Sequence, residues 1–292
     1  MTSRRLSQLS AAALAALAWW VCVSRPGVLG DEFVAEIIAV FGVLTLILFG
    51  AVFLALRWAT GGNATYWTMR TPDQLRPIGW MIVSTMGVML AGGRALEWMG
   101  RLDALSAIVV SLIASTLVPA AFLLAREVRW PSRVARPGWP SLLVLCVVGI
   151  GIATAWSWAA WSWAPDRLDP PSIGRVLFVL PVTFLAASME EVVFRVMLMT
   201  ALLERLGSRF EAVFLSAVAF GLMHVPGAFA QPLFEANWPL LQIVAFDYAP
   251  QFLMQVLLGL FLGVLWLRSG SIALIAAVHT LLNLGSHLAV GL

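Results

Sequence analysis

The sequence predicts an all-α protein, a polytopic membrane helix bundle of about eight or nine transmembrane helices. Three observations predict it. The chain is 61% hydrophobic and only 11% charged, where soluble domains run about 45–50% apolar and about 25% charged. Its mean hydropathy is +0.92, too high for a surface that must face water. And the apolar residues fall into runs near the ~20 residues that a helix needs to cross a bilayer.

The runs are, in order, residues 9–24, 33–56, 78–93, 104–125, 141–164, 176–203, 210–226, 241–267 and 271–290. The third is short enough to be tilted or re-entrant. Turn-forming clusters separate the runs: Arg25-Pro26-Gly27, Gly61-Gly62-Asn63, Arg136-Pro137-Gly138, Asp169-Pro170-Pro171 and Ser269-Gly270. The first run follows Arg4 and Arg5, as a secretory signal would. No small-residue cleavage site is evident near Val21-Cys22-Val23-Ser24, so a retained helix is expected. Trp156, Trp158, Trp161 and Trp163 end the fifth run and read as an interfacial belt.

All 18 basic residues are arginines. They are scattered singly over short loops with no basic stripe, which argues against nucleic acid as a partner. They read instead as a topology signal. With the N-terminus inside and the runs alternating, Arg4, Arg5, Arg57, Arg70, Arg76, Arg126, Arg129, Arg133, Arg136, Arg205, Arg209 and Arg268 fall on the inner side. Only Arg25, Arg94, Arg101, Arg167 and Arg175 fall outside. That asymmetry favours an N-inside, multi-pass protein. The lysine-free, tryptophan-rich chain, with no eukaryotic sorting signal, reads as bacterial, hence the inner (cytoplasmic) membrane. Cys22 and Cys146 sit in apolar runs without CxxC spacing, so neither suggests a disulfide or a metal site.

The two halves of the chain differ. Residues 1–165 hold essentially no ionisable side chain inside their apolar runs and offer no assignable motif. Residues 166–292 do. Glu190, Glu191 and Arg195 lie deep in the sixth run, where a central charge costs about 2.5–3.5 kcal/mol even on lenient insertion scales. Glu191 and Arg195 are one helical turn apart and can pair. Glu190 is rotated about 100° from Glu191 and need not share that partner. A carboxylate left over in an apolar helix suits a general acid or base.

His224 follows in Phe220-Gly-Leu-Met-His224-Val-Pro226, at the end of the seventh run. In the last run, His279 and Asn283 are four residues apart on one face. Two fixed donors there suit a developing oxyanion. His287 continues that face near the helix end and is expected at the interface. At a rise of about 1.5 Å per residue, Glu190 lies ~20 Å, His224 ~21 Å and His279 ~12 Å from the inner ends of their helices. The three are therefore expected at similar depth, as one site.

Glu-Glu-x-x-x-Arg, then Phe-x-x-x-His, then His-x-x-x-Asn, resembles the CPBP family of type II CAAX prenyl proteases and bacteriocin-processing or immunity membrane proteins. The stretch from Gly259 through Gly263 and Arg268 to Ile272 is similar to the family's helix before its last motif. The resemblance covers about residues 171–290. It implies an intramembrane glutamic endopeptidase acting on a membrane-associated or lipidated peptide or protein. Carried onto this chain, Glu190 and His224 would activate water, and His279 and Asn283 would hold the oxyanion. Glu191 and Arg195 would keep the geometry. No cofactor is expected. The metal-dependent alternative is a zinc site of Glu190, His224 and His279. The non-enzymatic alternatives are a scaffold or immunity protein that uses the same cluster for binding, and a transporter, since intramembrane charge also marks ion paths. The chain shows no repeated halves of the kind transporters carry.

Overall fold

A computed structural model describes residues 3–24, 66–69, 71, 73–101, 104–162, 171–224 and 249–289. Among them are eight helices. They are α1 (Ser3–Ser24), α2 (Leu75–Trp98), α3 (Ala104–Leu124), α4 (Trp139–Ser162), α5 (Ile173–Leu206), α6 (Arg209–Met223), α7 (Ala249–Ser269) and α8 (Ile272–Ala289). Four of them, α2, α4, α5 and α8, are long and apolar enough to cross a membrane. The chain is thus an all-α, polytopic membrane protein. The expected run 33–56 lies outside the described residues, as do Trp163, Pro226 and the turns at 25–27 and 61–63.

α5 is the axis of the bundle. Ser172 caps its start by accepting from the Arg175 N–H at 3.2 Å. Gly207, at φ +65°, ends it in the left-handed conformation that glycine adopts without a Cβ penalty. Ser208 then caps α6 by accepting from the Glu211 N–H, which makes a tight α5–α6 hairpin. Midway, Val192–Met199 winds as a π-helix. Such stretches are rare and recur at functional sites. Val193 to Met199 are all buried, so this part of α5 faces protein on every side. It shares one buried apolar cluster with Ile78 and Met81 of α2, Phe220 of α6, Leu262 of α7 and Ile275 of α8. By contrast, Ile173, Leu177 and Phe184 nearer its start are exposed apolar side chains, as lipid contact requires.

Two close approaches set the packing. At Gly285 of α8 an added Cβ would overlap the Ser157 carbonyl oxygen of α4. At Gly259 of α7 it would lie 2.9 Å from Cα of Ala217 in α6. α1 packs on α6 and α7. Trp156 and Trp158 are exposed near the end of α4, as an interfacial belt would be.

Two features differ from the sequence expectation. α2 is longer than the apolar run 78–93, because an Arg94–Glu97 ion pair at 2.5 Å continues the helix into polar sequence. And a two-stranded antiparallel ribbon pairs β1 (Trp67–Thr68) with β2 (Ser132–Arg133). Two residues are too few for a strand period to be visible. What holds the ribbon is long-range: Trp67 Nε1 donates to the Gly270 carbonyl at 2.9 Å, and Met69 N and Thr68 Oγ1 donate to Glu204 Oε1. These contacts gather residues 66–69 and 132–134, the end of α5 and the α7–α8 turn at one end of the bundle. Alternating spans require that same grouping.

Candidate functional site

The site forms where the π-helical part of α5 meets α6, α7 and α8. Glu191 and Arg195 are each fully buried. Arg195 Nε lies 3.2 Å from Glu191 Oε2. Neither atom is in hydrogen-bonding geometry, so the contact is Coulombic. Arg195 also reaches the Gly259 carbonyl from Nη2 at 3.4 Å, and its guanidinium carbon sits 4.4 Å from the centre of the Phe220 ring. A desolvated cation over an aromatic face gains about 2 kcal/mol.

Glu191 turns its other oxygen to α8. His279 Nδ1 donates to Glu191 Oε1 at 2.9 Å. A carboxylate that takes one ring N–H fixes the ring's orientation and leaves the other nitrogen for chemistry. That nitrogen, Nε2, faces Glu190 Oε2 at 3.8 Å. The distance exceeds a direct hydrogen bond and suits two groups that share one small polar molecule. His279 is 1% exposed and Glu190 18% exposed, so the imidazole is enclosed and the carboxylate borders space.

Phe220 joins the third helix to this group. Its ring centre is 5.7 Å from that of His279 and 4.8 Å from that of His224, both edge-on. His224 is the C-cap of α6, where a nearby proline disfavours further helix. Its Nδ1 donates to the Phe220 carbonyl at 2.9 Å, which leaves Nε2 as the ring's acceptor nitrogen. Asn283 is half-buried one turn beyond His279. Among the described residues its side chain makes no hydrogen bond to the other site groups.

The structure therefore brings Glu190, Glu191, Arg195 and His279 into direct contact, sets His224 against them through Phe220, and leaves Asn283 beside them. Phe220 was visible in the sequence only as the first residue of Phe-x-x-x-His. Its position four residues before a histidine was the signal that it lies on the same face. The Gly259 carbonyl had no side-chain signal at all. His287 also has a partner on another helix: its Nδ1 lies 2.9 Å from Oγ1 of Thr183, itself 2% exposed on α5. That pair ties α5 to α8 two turns beyond His279.

Among the described residues no group of three His, Cys, Asp or Glu side chains is gathered to hold a metal ion. Glu190, His224 and His279 thus do not form the donor set that the zinc alternative needs.

Fold and site together define a polytopic membrane protein with a buried glutamate–histidine–arginine cluster. Residues 172–285 match the family described as type II CAAX prenyl endopeptidase Rce1-like. The matched segment contains every residue of the cluster and leaves α1 to α4 outside it. Comparison with curated proteins and with solved structures gave no match.

Proposed function

We propose that the protein is an intramembrane glutamic endopeptidase of the CPBP type, cleaving a membrane-associated or lipidated peptide. The observation that carries this is the 3.8 Å approach of Glu190 Oε2 to His279 Nε2, with the imidazole fixed from behind by Glu191. A water seated beside this pair and bonded to Glu190 gives it a proton, and its oxygen attacks the scissile carbonyl carbon. The oxyanion that forms accepts from Asn283 and from Nε2–H of His279 in its doubly protonated form, the form whose Nδ1–H is already given to Glu191; the two residues share one face of α8. The C–N bond then breaks, and the proton held by Glu190 passes to the leaving amine. His224, with Nδ1 already committed, has Nε2 to assist that water. Glu191 and Arg195 touch no reacting atom in this scheme and hold His279 in place. Residues 166–292 are then the protease core and residues 1–165 an accessory set of helices. The name of the matched family supports a prenylated C-terminal tail as substrate class; the inner membrane as the site of action rests on the bacterial reading of the sequence.

The experiment compares membrane peptides of cells carrying the wild-type chain with cells carrying Glu190→Gln. A precursor that accumulates in the variant and disappears on complementation is the expected result. Identical peptide profiles would contradict the proposal and favour a binding role for the cluster. Activity abolished by chelation and restored by added zinc would overturn the metal-free scheme.

A further inference from the structure

Glu190 borders a small, partly open pocket. Its described walls come from two sources. Met189, Val193 and Phe194 of α5 and Met223 of α6 form one side. Ile82 and Thr85 of α2 and Ser115 and Pro119 of α3 form the other. The second side lies wholly outside the residues that match the endopeptidase family, in the half of the chain where the sequence offered no motif.

Pro119 stands inside helix α3. Its nitrogen carries no hydrogen, so the helical bond from residue 119 to the Ser115 carbonyl cannot form. Ser115 and Pro119 are one turn apart on one face, and both line the cavity. The break in the helical ladder therefore lies on the side of α3 that meets Glu190. The nearby hydroxyls point the same way chemically. Thr85 Oγ1 donates to Met81 O at 2.9 Å, and Ser115 Oγ donates to Leu112 O at 3.4 Å. Each hydroxyl proton is spent on its own helix, which leaves the oxygens as acceptors. Thr85 is 3% exposed and Ser115 8%, so neither relies on bulk solvent. The described walls are thus apolar, with acceptor oxygens and a carboxylate and no side-chain cation. An anionic head group has nothing to bind there. A donor on an otherwise apolar chain fits.

We propose that the Ser115 carbonyl, freed by Pro119, accepts a backbone N–H of the substrate peptide next to the scissile bond. This inference rests on the endopeptidase reading and extends it. It makes α3 a substrate-binding element and gives the N-terminal half a part in the reaction. An extended peptide so held presents its carbonyl to the gap between Glu190 and His279. The main-chain bond would be blind to side-chain identity, as in strand-addition recognition.

The test uses the purified chain in detergent and a fluorogenic peptide ending in a farnesylated cysteine and three further residues. Each amide except the scissile one is replaced in turn by an ester, which deletes one N–H. In the wild-type protein one flanking ester is expected to raise KM about three- to tenfold, the worth of one net hydrogen bond, with kcat little changed. Pro119→Ala and Pro119→Gly both return an N–H to the helix but have opposite helix propensities. Both are expected to raise KM for the all-amide peptide to the same degree and to erase the ester effect. Wild-type KM in both variants, or uniform tolerance of every ester, overturns the proposal while cleavage itself leaves the endopeptidase reading standing. Water would then be the occupant. No cleavage of the probe by the wild-type protein overturns the prenylated-tail reading, and the proposal with it.

Discussion

Glu191 has two partners, and they can be separated by substitution. Glu191→Gln keeps an acceptor oxygen for His279 Nδ1 but removes the charge that faces Arg195 at 3.2 Å. The guanidinium is fully buried, so it is left as an unpaired cation. Breaking a buried ion pair from one side costs about 3–5 kcal/mol. Arg195→Met strands the carboxylate instead, and it also forfeits the contact with the Phe220 ring, so a loss in the same range is expected, about 3–5 kcal/mol. The double variant leaves no charge stranded. Replacing both partners by neutral groups of similar volume is often close to neutral, so the double variant should recover most of the loss. A coupling of about 5 kcal/mol or more is therefore expected, above the usual range for contacting residues, because each single change strands a buried charge. Reversible unfolding in mixed micelles, followed by tryptophan fluorescence, measures all four proteins. Additive losses in the double variant would refute the reasoning, because they would mean that each charge is satisfied by something other than its neighbour.

Three further outcomes follow from the geometry. Gly285→Ala places a Cβ against the Ser157 carbonyl, and overpacking of that kind costs about 1–3 kcal/mol or more, to be read as a lower unfolding midpoint. Thr183→Val removes the partner of His287 and should cost about 1 kcal/mol, with His287→Phe losing a similar amount and the pair of changes non-additive in the same unfolding assay. Phe220→Leu opens the contact shared by Arg195, His224 and His279. It should destabilise by about 1–3 kcal/mol and lower turnover more than Thr183→Val does, in a cleavage assay with matched folded protein.

The site was legible where its logic is local. The four-residue spacing of Glu191 and Arg195, and the rotation of Glu190 away from them, follow from helix geometry and the cost of charge in an apolar helix. The similar depths of Glu190, His224 and His279 followed from counting residues, and the contacts through Phe220 agree with that. What the sequence hid is non-local. It could not say that Glu191 bonds His279 as well as Arg195, because the partner lies on another helix. Nor could it show that Val192–Met199 widens into a π-helix, since packing on all sides decides that, not propensity. The partner of His287 was hidden as well, since only the antiparallel register of α5 and α8 puts Thr183 opposite it. Glu211, 2% exposed, drew no attention at the first turn of α6, where its N–H serves the Ser208 cap. The ribbon of Trp67–Thr68 and Ser132–Arg133 depends on Glu204 and Gly270, far away in the chain. For the same reason the wall that α2 and α3 give the Glu190 cavity could not be read from a half-chain without polar motifs.

The most direct measurement is cleavage of the farnesylated fluorogenic peptide by purified wild-type protein and by Glu190→Gln, each checked for an unchanged unfolding midpoint. Loss of a general base typically costs about 10²–10⁴-fold in rate. The account predicts product from the wild-type protein and a fall of that size in the variant. Equal cleavage by the two folded proteins would contradict the assignment of Glu190 as the base.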